Sequence, residues 1–104
     1  MKKVISGKVY DTDTSVCVGE IEHGYINDLN YIRETLYKSQ RGNYFIHYVG
    51  GANTRYAVSK GNNWYSGSEG ILPLTKGEAL EWCERNNIAA ETIEREFADM
   101  VEDA

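Results

Sequence analysis

Asp11, Asp13 and Ser15 stand at alternate positions, and Glu22 follows at the spacing of the last ligand in a calcium loop. In such a loop alternate oxygen ligands and a final bidentate Glu wrap a hard cation. The sixth position of the loop needs Gly for its sharp turn, and here it is Val16; no helical pattern flanks the segment. An Asp-rich turn, whose side chains hydrogen-bond their own backbone, therefore accounts for these residues better. His23 and His47 are candidate bases or ligands, and Cys17 and Cys83 candidate nucleophiles. Nucleophilic catalysis needs a base within hydrogen-bond reach and a third group to orient it, and nothing local supplies that pairing. Cys83 falls on the apolar side of a predicted helix, where a small buried hydrophobe is the simpler role. Gly61, Gly67 and Gly70 do not match the dinucleotide fingerprint, and no phosphate-loop Lys-Ser or Lys-Thr is present. No catalytic residue, metal site or cofactor is expected.

The chemistry that remains is charge and aromatic surface. Residues 1 to 60 hold eight Lys and Arg against six Asp and Glu, whereas residues 61 to 104 hold three against ten, a net of −7 within a chain of formal charge −5. Glu81, Glu84, Glu91, Glu94 and Asp99 are the candidate electrostatic contacts, either as a solvated face or as an array that meets a basic groove as a phosphate backbone would. Nine of the twelve aromatic residues lie between Tyr25 and Tyr65, interleaved with Arg33, Lys38, Arg41, Arg55 and Lys60. Tyr31, Tyr37, Tyr44, Tyr48 and Trp64 are candidate aromatic anchors for a protein partner. With Arg33, Arg41 and Arg55 the same tyrosines would make a stacking platform for RNA or single-stranded DNA, provided that they are exposed. The acidity of the whole chain favours the protein partner, because single-stranded binders rely on a positive groove.

The elements that must position these residues read as an α+β domain. Lys3-Val4-Ile5 and Lys8-Val9-Tyr10, with Ser6-Gly7 between, read as a short opening hairpin or a bulged strand, and Val16 to Glu22 alternates Val16, Val18 and Glu20 against Cys17, Gly19 and Ile21. Tyr31 to Lys38 and Tyr44 to Val49 alternate on either side of the polar turn Ser39 to Asn43, which predicts a β-hairpin with an aromatic-rich face. A helix over Tyr31 to Lys38 is the rival, since Arg, Glu and Leu are good helix formers. Gly50-Gly51 ends the hairpin, and Arg55 to Val58 is expected to return as a strand. Pro73 marks the change from strand to helix. Thr75-Lys76-Gly77-Glu78 is a capping box opening a helix near 76 to 87, and Ala90, Ile93, Phe97, Met100 and Val101 predict a second over 90 to 101. The expectation is one domain over 1 to 104, an antiparallel sheet of four to six strands from residue 3 to about 72, followed by two C-terminal amphipathic helices.

Two distant cysteines without a C-x-x-C encode no disulfide framework, and free thiols fit a reducing compartment. The charged start Met1 to Lys8 has no apolar run of signal-peptide length behind it, so a cytoplasmic protein with no membrane partner is expected.

The opening Lys2-Lys3-x-Ile5-x-Gly7-Lys8-x-Tyr10-x-Thr12-x-Thr14, the central Leu36-Tyr37 with Gly42-Asn43-Tyr44-Phe45, and the late Pro73-Leu74-Thr75 with Glu78-Ala79-x-x-Trp82 resemble a group of small proteins encoded on prophages and conjugative elements of Gram-positive bacteria. The shared residues specify turns, strands and a helix cap, so the resemblance carries a fold and a context without functional residues. It implies a non-enzymatic inhibitor of host defence, of the anti-CRISPR type, that engages a basic surface such as that of a Cas nuclease in the bacterial cytoplasm. A small RNA or single-stranded DNA binding domain is the alternative.

Overall fold

The computed structural model describes all 104 residues. Eight strands and two helices follow one another along the chain: β1 (Lys2–Ile5), β2 (Lys8–Asp11), β3 (Val16–His23), β4 (Ile32–Lys38), β5 (Tyr44–Gly50), β6 (Val58–Gly61), β7 (Trp64–Ser66), β8 (Ser68–Leu74), α1 (Lys76–Arg85) and α2 (Ala90–Glu96). The fold is α+β. Its centre is a four-stranded antiparallel sheet in the order β3-β4-β5-β8, and β1-β2 and β6-β7 form two separate hairpins.

The Ser6-Gly7 turn joins β1 to β2 with φ of 51° and 78°, the positive values that match a two-residue turn to the twist of its strands. Tyr10 and Ile5 of this hairpin pack on Phe45, Ile71 and Tyr37, covering one face of the central sheet. On the opposite face Leu36, Tyr44 and Ile46 meet Ala79, Trp82, Cys83 and Phe97 from the helical segment. The strand reading of Tyr31 to Lys38 holds against its helical rival. Its aromatic-rich single face does not: the five-residue turn sets Tyr37 opposite Phe45 and Lys38 opposite Tyr44, so Tyr31 and Tyr37 lie on one face and Tyr44 and Tyr48 on the other.

In β3 the register shifts between Cys17 and Gly19, a bulge that lets both Val18 and Ile21 face the helices although they are three residues apart. The strict alternation expected there is thereby corrected. At Gly19 a Cβ would collide with the Ile88 side chain, so the absence of one lets the segment after α1 lie flat on the sheet. Arg55 to Ala57 is loop and not strand: Arg55 and Tyr56 reach back from it to Glu34, and β6 starts only at Val58. Pro73 lies inside β8, opposite Phe45, on a sheet edge where no further strand needs its missing N–H.

α1 begins with the capping box: Thr75 Oγ1 accepts from Glu78 N at 3.1 Å, and Glu78 Oε1 accepts from Thr75 N at 2.8 Å. α2 stops at Glu96, short of the expected 101, because Phe97 leaves helical geometry at φ −122° and ψ 35° to lay its ring on Tyr44 at 5.4 Å. No residue within α2 is buried, so the fully buried Phe97 holds it down. The radius of gyration, 15.1 Å, exceeds the roughly 13 Å of a compact chain of this length, and 16 of the 104 residues are buried. So small a core gives single anchors large weight. Phe97→Ala is expected to lower stability by about 3–5 kcal/mol and to release α2, checked by urea unfolding and by loss of amide protection confined to residues 90 to 101.

Candidate functional site

Glu34 of β4 lies at the middle of the helix-facing side of the sheet, 3 % exposed. A carboxylate there needs donors, and one helix and one loop supply three: Trp82 Nε1 of α1 donates at 3.0 Å to Oε1, and Arg55 Nη2 and the Tyr56 hydroxyl, from the loop after β5, donate to Oε2. Burial by itself would raise the Glu34 pKa. Donation from Tyr56, Trp82 and Arg55 outweighs that and holds the carboxyl below its usual range. The partners respond in turn: burial and then the bond to Glu34 push Tyr56 up to about 12. Tyr56 also stacks on Tyr48 with ring centroids 4.0 Å apart, and the Arg55 guanidinium lies 5.1 Å from the Tyr56 ring. This network floors a recess of about 600 Å³ whose far wall is one flank of α1, Glu78, Glu81 and Arg85.

The candidate acidic residues divide among three settings. Glu81 stands on the recess. Glu84 and Glu94 join Glu102 and Asp103 on the rim of a groove of about 470 Å³, floored by Ala90, Ile93, Ala98 and Val101. Glu91 is exposed beside neither, and Asp99 receives the Lys76 ammonium at 2.7 Å, which lowers its pKa. Glu81, Glu84, Glu91, Glu94, Glu102 and Asp103 make no internal ion pair.

The aromatic candidates fare differently. Tyr31 and Tyr44 are buried at 4 % and 3 % exposure, Tyr31 donating to Glu22 and Tyr44 lying against Phe97, so neither offers a ring face. Tyr37 stacks on Phe45 at 5.4 Å and Tyr48 on Tyr56, each half-buried. Trp64 alone stands free, 71 % exposed. The shared platform expected for nucleobases is therefore dismantled by the two-sided register, and of its cations Arg55 is committed to Glu34 and Arg33 lies 3.9 Å from Glu20. Arg41 has no partner within the chain.

Sequence reasoning missed a patch at the other end of the sheet. Tyr25, Ile26 and Leu29, in the loop between β3 and β4, and Tyr65 beside Trp64 on β7 are all more than half exposed. The signal was present: apolar residues framed by Gly24, Asn27 and Asp28 follow neither strand nor helix periodicity. Both thiols are raised, Cys83 to about 11 by burial and then by Glu96 and Glu84, and Cys17 by burial and Glu20, so neither is held as thiolate at neutral pH. His47 Nε2 lies 2.7 Å from Glu69, and His23 flanks the recess. Asp11, first of the proposed calcium ligands, accepts from Asp13 N at 3.0 Å within a turn. No helix is long and apolar enough to cross a membrane.

Because the folded-state pKa of Glu34 is depressed, its stabilising contribution is complete above the ordinary carboxyl range and disappears as pH falls through the depressed value. Glu34→Gln is expected to cost about 1.5–3 kcal/mol at pH 7, with the gap to the parent closing at acid pH; urea midpoints from pH 7 down to 2.5 check it. A constant gap across that range would show that the anion is not what the three donors hold. No family model, no curated protein and no solved structure matches the chain.

Proposed function

We propose that the chain is a non-enzymatic protein-binding module that engages a basic surface of its partner through the C-terminal acidic face. The observation that carries this reading is the set of six carboxylates left without internal ion pairs, four of them rimming a groove with an apolar floor. Such a rim accepts guanidinium and ammonium groups, while the floor takes the methylene stems of Arg and Lys. The sharpest form of the reading is a mobile-element inhibitor of the anti-CRISPR type, acting on the cationic channel of a host nuclease such as a Cas protein. A channel that holds a heteroduplex by its phosphate backbone attracts a carboxylate array by the same force. The burial of Tyr31 and Tyr44 weighs against the nucleic-acid alternative.

The test is capture by the tagged chain from a defence-competent bacterial lysate, with and without nuclease treatment, followed by a cleavage assay on the recovered partner. A defence nuclease recovered in stoichiometric amount after nuclease treatment, and inhibited by the chain, is the expected result. Glu84→Lys with Glu94→Lys should weaken that binding at least tenfold and steepen the loss at low salt, where unscreened repulsion is strongest. Recovery of RNA alone, abolished by nuclease treatment, would overturn the reading.

A further inference from the structure

The basic half of the chain builds a cleft that the acidic groove does not touch. It lies between the β1-β2 hairpin and the β4-β5 turn, has a volume of about 480 Å³, and is lined by 11 residues of which one, Val9, is apolar. Three cations converge on it: Lys2 from β1, Lys8 from β2 and Arg41 from the turn. Asp11 is the single carboxylate in the lining, and its side chain already accepts from Asp13 N and faces Lys2 at 3.9 Å. Lys8 Nζ reaches across to Asn43 Oδ1 at 3.4 Å, so the two walls are tied, while Arg41 makes no hydrogen bond or ion pair within the protein. A chain of charge −5 thus keeps an excess of positive charge in one polar concavity.

We propose that this cleft is an oxyanion site that takes the phosphate group of a phosphorylated ligand. The unengaged Arg41 guanidinium presents a planar fork matched to two phosphate oxygens, and Lys2 and Lys8 act as point charges on either side. The Thr14 hydroxyl donates a long hydrogen bond of 3.5 Å to the Asp11 carbonyl, which it can exchange for one to a bound oxygen, and the Gln40 carboxamide has no internal partner. With no aromatic residue and one apolar residue in the lining, the cleft reads phosphate and leaves a base or sugar outside. Recognition is accordingly independent of nucleotide identity. Two sources share that chemistry, a free di- or polyphosphate and the backbone of a single-stranded nucleic acid. The site is separate from the acidic groove, so its failure and that of the protein-binding reading are distinguishable.

The test is amide chemical-shift titration of the intact chain at low ionic strength, once with inorganic pyrophosphate and once with a mixed-sequence RNA dodecamer. Saturable shifts confined to residues 2, 7 to 15 and 39 to 43 are expected with at least one of the two, and the tighter ligand identifies the source. Arg41→Ala should raise the apparent Kd about tenfold, Arg41→Lys by less, and Lys60→Ala, outside the cleft, should leave it unchanged. Arg41 is exposed and unpartnered, so its replacement should not disturb folding; an unchanged spectrum elsewhere in the molecule checks this. Absence of shifts with both ligands, shifts scattered over all lysines, or shifts that persist undiminished in Arg41→Ala would overturn the proposal.

Discussion

A single buried carboxylate organises this domain. Glu34 sits where an apolar side chain would fill the sheet face more cheaply, and an unpaired charge there would cost several kcal/mol. It is tolerated because Trp82 of α1 and the neighbouring Arg55 and Tyr56 of the loop after β5 converge on its two oxygens. The bond to Trp82 fixes the rotation of α1 on the sheet. The bonds to Arg55 and Tyr56 fold the loop after β5 back over the core, and Tyr56 then covers Tyr48. One residue on one strand therefore sets the helix, the loop and the fate of an aromatic ring that would otherwise face water.

The rest of the charge is kept apart. Inside the molecule cations are paired singly, Lys38 with Glu96 at 3.4 Å and Lys76 with Asp99 at 2.7 Å, and these pairs are partly exposed, so they add little stability. What they do is position: Lys38 and Tyr44 both reach Glu96, tying the end of α2 to the hairpin beneath it. Six carboxylates near the C-terminus and the Arg41 side of the opposite hairpins remain unneutralised. Self-repulsion among the acids is a cost in stability, set against the solubility that net charge confers.

Local physics was legible in the sequence, and long-range pairing was not. Alternation from Tyr31 to Val49 and the Thr75 to Glu78 capping box each depend on residues within a few positions of one another, and each stands as read; of the two readings open at Ser6-Gly7, hairpin or bulged strand, the structure has the hairpin. The Glu34 network joins residues 21, 22 and 48 positions apart, and nothing near Glu34 marks it as different from an exposed strand glutamate. The division of the tyrosines between two faces follows from the length of one turn, since a register shifted by one residue would exchange every side chain between faces. The bulge at Val18 breaks the same alternation for the same reason. α2 is shorter than its period predicts because Phe97 fits the helical spacing but lays its ring on Tyr44 where the helix ends. Of the candidate site, the acidic residues could be named from composition, but their division between recess, groove and ion pair needed the packing of both helices.

At the end of the sheet away from the Ser39 to Asn43 turn, three glycines leave no room for a side chain: a Cβ at Gly50 would strike Thr54 and Tyr56, one at Gly51 would strike the Leu29 carbonyl, and one at Gly67 would strike the Gly50 carbonyl. Three loops distant in sequence are thus seated backbone against backbone. Insertions or deletions in any one of them would have to be matched in the other two, so the three loops, and the apolar side chains that they carry, hold their geometry as one unit.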